Sequence, residues 1–219
     1  MADEERSGRP PAWALAALAV VLVAGLAFAV GRFSTFGQAP SGPNAADIGF
    51  ARDMQMHHAQ AVEMAMIQYR ATDDDELRLI SYDIATAQSQ QSGQMFDWIE
   101  DWGVPQRGSD PIMQWMSADG GHDHGGSGAE PATEDELRAA MGMAGDADLA
   151  ALRTATGTER DCLFTDLMIR HHAGALEMVD AVQRLGSDPR VARTAGGMAE
   201  SQQREIQALE SVQTRLACG

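Results

Sequence analysis

The chain has 219 residues, 44% hydrophobic and 22% charged, with a formal net charge of −16. That leaves room for one ordinary domain plus appendages. All 16 basic residues are Arg, against 32 acidic ones, which argues against nucleic-acid binding, because phosphate recognition needs concentrated basic charge. Two Cys rule out a Cys-rich zinc framework. Aromatic residues make up only 5% and β-branched ones are scarce, whereas Ala, Leu, Met, Gln, Glu and Arg dominate the long segments. Helix is favoured and an all-β domain disfavoured.

Residues 12–30, AWALAALAVVLVAGLAFAV, carry no charge and are long enough to span a bilayer. Arg6 and Arg9 precede them and Arg32 follows. The positive-inside rule places residues 1–11 in the cytoplasm as a short tail and the remainder outside the cell membrane, in the periplasm or extracellular space. The alternative is a cleaved signal segment, with Ala27-Phe28-Ala29 as the cleavage site. Residues 31–43 are rich in Gly, Pro and Ser and read as a flexible tether. The first 46 residues balance to zero charge, so the whole −16 belongs to the exported part. An exported location also permits a disulfide between Cys162 and Cys218.

The strongest pattern is a duplication. Shifted by 114 residues, Asp47 falls on Asp161, Phe50 on Phe164, Met54 on Met168, and His57-His58 on His171-His172. Glu63 and Met64 fall on Glu177 and Met178, Asp74 on Asp188, and Gln88 on Gln202. Each copy reads as a helical hairpin. Asn44 and Thr158 stand as equivalent N-caps, three residues before Asp47 and Asp161. Asp74 and Asp188 cap the second helices, with Pro189 at a first helical position. The helices predicted are 45–71, 75–102, 159–185 and 189–216, ended where relevant by Gly103 and Gly186. Two such hairpins, 44–104 and 158–217, bury their apolar stripes best as an antiparallel four-helix bundle. A crossover, 105–157, joins them. It contains GGHDHGGSG at 120–128, read as disordered. Short helices are expected after Thr133 and over 146–154. Cys162 and Cys218 fall at ends of an antiparallel hairpin that meet.

On a helical wheel Phe50, Met54, His57, His58, Ala61 and Met64 share an arc of about 120°. The equivalent residues of the second copy do the same. Four imidazoles are an expensive core, since each brings a donor and an acceptor that need partners. Imidazole suits several transition metals, and thioether selects Cu(I). The candidate ligands are therefore His57, His58, His171 and His172 with Met54 and Met168, and more weakly Met64 and Met178, whose spacing also fits plain core packing. His122 and His124 form a looser set with Met113, Met116, Met141 and Met143. Asp47 and Asp161 are explained by capping, and they lie about 15 Å along the axis from the His pairs. Glu63 and Glu177 fall on the opposite face. Glu-x-x-His, HExxH, GxSxG and P-loop patterns are absent, and no residue is read as catalytic. Trp98, Trp102 and Trp115 read as packing anchors.

The repeated D-x-x-F-x-x-x-M-x-x-H-H-x-x-A-x-x-M pattern stands here as DIGFARDMQMHHAQAVEM and DCLFTDLMIRHHAGALEM. It resembles the DUF305 family of small exported bacterial proteins, over about residues 44–217 and including MGM and ADLAALRTATG of the crossover. Gln202, Glu205 and Ile206 match a later family pattern, whereas the first copy departs from it with Gln91 and Ser92. The resemblance implies a ferritin-like four-helix bundle and, for some members, copper binding and copper tolerance. The leading expectation is a membrane-anchored protein that sequesters, stores or delivers copper, Cu(I) above all, and is not an enzyme. The alternatives are a structural or interaction bundle, docking an envelope protein or a second copy, and a redox or haem-type bundle, since His and Met are haem ligands.

Overall fold

The computed structural model describes residues 11–34, 42–119 and 132–218. Among them are seven α-helices and no strand. The chain divides into two units, Met1–Ser41 and Gly42–Gly219.

In the first unit, α1 runs Ala12–Ser34, and its Ala12–Gly31 portion is long and apolar enough to cross a membrane. Helix thus continues beyond the apolar run into the expected tether as far as Ser34.

In the second unit, α2 (Ala45–Ala71) and α3 (Asp75–Asp101) form one hairpin, and α6 (Gly157–Leu185) and α7 (Pro189–Leu216) form the other. The crossover contributes a 3-10 turn at Gln114–Asp119, α4 (Glu134–Ala140) and α5 (Asp146–Thr154). Caps set the boundaries. Asn44 accepts from the Ala46 and Asp47 N–H groups, and Asp47 answers by accepting from the Asn44 N–H, a capping box. Asp74 and Asp188 cap α3 and α7. Thr133 and Glu136 form a second box on α4.

Thr158 departs from its expected role. Helix α6 begins at Gly157, with Thr156 as an N-cap that makes no side-chain bond. The Asp161 carboxylate accepts instead from Gln68 Nε2 at 2.5 Å. Asp47 does more than cap. Its Oδ2 also takes the Ser187 and Asp188 N–H groups, tying the start of α2 to the turn between α6 and α7. Gly186 is required there, because a Cβ would meet Asp47 Oδ1 at 2.5 Å.

Helices α2 and α6 pack antiparallel at the centre. One apolar cluster, at one end, joins Met54 and Met178 with Phe50, Met95 and Met198, and the other joins Met64 and Met168 with Leu77 and Phe164. Arg190 to Asp101 and Arg215 to Asp74 and Glu76 bridge α7 to α3 at both ends. Cys162 and Cys218 are bonded, with Cα atoms 5.5 Å apart, fastening the start of α6 to the end of α7.

The crossover is anchored, not merely tethered. Asp53 accepts from the Met113 N–H and from Trp115 Nε1, each at 2.8 Å. Trp115 packs edge-on to Phe50 and fills the space a side chain at Gly49 would need. Gln60 brackets the backbone of Ala144, donating to its carbonyl and accepting from its N–H. At Gly174 the crossover lies directly on α6, where a Cβ would overlap the Met141 carbonyl.

Candidate metal centre

Successive helical residues are about 100° apart, so a His-His pair divides between two neighbours. His57 turns from α2 toward α6, and its ring stacks on that of His171 with centroids 3.6 Å apart and planes 33° apart. His58 turns toward α3, where its Nε2 meets Gln91 Oε1 at 2.7 Å. The second copy repeats this. His171 faces α2, and His172 Nε2 meets Glu205 Oε2 on α7 at 2.6 Å. Gln91 and Glu205 are equivalent positions of the duplication, so one half holds its histidine with an amide and the other with a carboxylate.

All four rings are fully buried. Burial is the main force on their protonation: it holds His57 down to about 4 and His58 to about 3, and pushes His171 well below the usual histidine range. Those three rings are neutral at pH 7. The crossover supplies the last contact, with His57 Nε2 donating to the Met141 carbonyl at 3.0 Å.

The hydrogen bonds fix the tautomers. Met141 O, Gln91 Oε1 and the Glu205 carboxylate are acceptors, so the facing Nε2 atoms carry hydrogen. In neutral His57 and His58 the Nδ1 atoms are then lone pairs, and they are buried without a partner; His172 Nδ1 and both ring nitrogens of His171 are likewise buried and unpartnered. An imidazole whose one nitrogen donates to oxygen while the other keeps a free lone pair is the arrangement of a metal-ligating histidine. Among the described residues no three His, Cys, Asp or Glu side chains form a ready-made chelate. The stacked pair shows why: ring nitrogens lie at ring edges, and two faces at 3.6 Å do not aim them at one point.

The duplication assembles the four histidines in one layer. It distributes the methionines differently, Met54 with Met178 in one apolar cluster and Met64 with Met168 in the other. All four are fully buried. Met116, Met141 and Met143 are buried in the first cluster and Met113 packs against it. His122 and His124 lie outside the described residues. Glu63 and Glu177 are exposed, as the wheel requires, and Glu63 pairs with Arg153. The Met141 carbonyl, Gln91 and Glu205 were not singled out as partners of the histidines. The departure of Gln91 from the family pattern was the available signal for the last two.

The family described as Domain of unknown function (DUF305) matches residues 47–213. The chain belongs to the DUF305 family. A DUF305 protein from Streptomyces coelicolor is similar in structure, with TM-score 0.67 and 35% identity, covering 78% of this chain and 94% of that one. A DUF305 fragment from Deinococcus radiodurans follows with 0.64 and 27%, covering 80% and 99%. CopM shares the fold, in its Cu(I)-bound form at 0.55 and 22% identity and in its Cu(II)-bound form at 0.58 and 24%, each covering 77% of this chain and 96% of its own. No curated protein matches the chain.

Proposed function

We propose that this DUF305 protein binds copper outside the cytoplasm, held at the membrane by α1, and sequesters, stores or hands on the ion without transforming a substrate. The observation that carries this reading is the set of buried, unpartnered Nδ1 atoms on His57, His58 and His172, each opposite a nitrogen pinned to an oxygen acceptor. Neutral imidazole is the protonation state a metal needs, and burial maintains it. The buried methionines beside the layer supply soft donors that favour Cu(I). The net charge of −16 gathers cations around the bundle. CopM, of the same fold, has been solved with Cu(I) and with Cu(II) bound.

The test is a Cu(I) competition titration of the protein beside a His57→Asn, His171→Asn variant, with folding checked by circular dichroism. Tight stoichiometric binding should fall at least 100-fold in the variant. Equal affinity in both proteins refutes the site.

A second reading is an interaction bundle. Leu79, Tyr82 and Phe96 favour it, three large apolar side chains exposed on α3. In that case the His variant keeps its partner and the protein takes up no copper.

A further inference from the structure

Fourteen buried side-chain nitrogen and oxygen atoms of the described residues lack a hydrogen-bond partner, and nine of them belong to six residues, the four histidines with Gln88 and Gln202. In each glutamine both amide atoms are orphaned, although the residues are only 3% and 2% exposed. The two occupy equivalent positions of the duplication. Gln88 lies one turn before Gln91, the partner of His58, and Gln202 one turn before Glu205, the partner of His172. Both stand in inward stripes that also hold Ile84, Ala85 and Met95, with Ser81, on α3 and Met198, Ile206 and Leu209 on α7.

A buried amide with nothing to bond costs roughly 1–3 kcal/mol per group, and an apolar side chain of the same size avoids the cost. The deficit is present in both halves, one turn from the histidine partners. An amide oxygen is a hard donor. It gives little to Cu(I), which thioether and imidazole satisfy, and it suits a divalent ion that takes more ligands and mixed nitrogen and oxygen donors. We propose that Gln88 and Gln202 are oxygen-donor arms of the histidine layer and give it a second coordination mode, for divalent copper. This rests on the copper reading above. Glu205, one turn away and touching His172, places one negative charge beside the layer to balance the second positive charge of the ion.

The experiment uses the whole chain with Cu(II) and, separately, Cu(I), each in competition with a chelator of known affinity. The variants are Gln88→Leu with Gln202→Leu, and Gln88→Met with Gln202→Met should the first pair not fold. Cu(II) affinity should fall 10- to 100-fold, the range for removing a supporting or ligating group. Cu(I) affinity should stay within about threefold, and the metal-free variant should melt at the same or a higher temperature, since orphaned amides have been removed. The Cu(II) electron paramagnetic resonance spectrum should shift. An unchanged Cu(II) affinity and spectrum in the variants, while the His57→Asn, His171→Asn protein loses copper, overturns this inference and leaves the copper reading standing. Failure of the unaltered protein to bind either ion overturns both.

Discussion

At the scale of the residue, four imidazoles in a dry layer make a chemical and a thermodynamic statement together. Burial keeps the rings of His57, His58 and His171 neutral, and the same burial couples folding to pH. In the unfolded chain a histidine titrates near 6.5. In the folded protein His57 is held to about 4 and His58 to about 3 by desolvation. Above pH 6.5 both states are neutral and these two rings add nothing to the pH dependence of stability. Below it the unfolded state takes protons that the folded state refuses, so stability falls with falling pH. The loss is about 1.4 kcal/mol per pH unit for each such ring, and it saturates as pH passes the folded values. Urea denaturation of the metal-free protein at pH 7, 6, 5 and 4.5 should show this decline, and His58→Asn should make it shallower. A flat profile would mean that water reaches the rings.

At the scale of the element, the helices were legible because their stop and start signals are local. Asn44, Asp74, Asp188 with Pro189, and Gly103 each act on the neighbouring turn, and the four long helices begin and end within two residues of expectation. Thr158 misled because equivalence in a repeat does not carry over a cap when its carboxylate partner, Asp161, is taken by Gln68. The crossover was the less legible part. The short helix after Thr133 was marked by its cap, and another was expected over 146–154, but no local pattern announces that Asp53 holds Met113 and Trp115, or that Met141 supplies His57 with its acceptor. These contacts join residues 60 or more apart in the chain, and the one from Met141 depends on close passage at Gly174. Gly174→Ala should therefore cost about 3 kcal/mol in chemical denaturation, since the new methyl collides with backbone and not with a yielding side chain. Loss below about 1 kcal/mol would show that the crossover can lift without penalty.

At the scale of the whole molecule, the duplication explains both the fold and the site. Two hairpins bury their stripes against each other, and a residue of the inner stripe midway along the bundle meets its counterpart, as His57 meets His171. The inward direction of His57, His58, His171 and His172 followed from the wheel. Their division among α3, α6, α7 and the crossover did not, because it is set by which helix lies across each 100° step. Gln88 and Gln202 carried a signal in their repetition, yet as lone polar residues they gave no chemistry until their lack of partners was visible. The bundle closes with Cys162 bonded to Cys218 across a separation of 56 residues, a link that chain-entropy arguments value at about 4 kcal/mol. A scaffold fixed in this way can bear a buried layer whose polar groups lack hydrogen-bond partners.

On the proposed reading copper sits among the four histidines. Copper-edge X-ray absorption on the Cu(I)-loaded protein reads the ligands directly. The expected spectrum has a nearest shell containing at least two imidazole nitrogens, with the outer-shell scattering of intact rings, alongside sulfur from methionine, and loses the imidazole contribution in the His57→Asn, His171→Asn variant. A shell of sulfur alone, or an imidazole contribution unchanged in that variant, would contradict it.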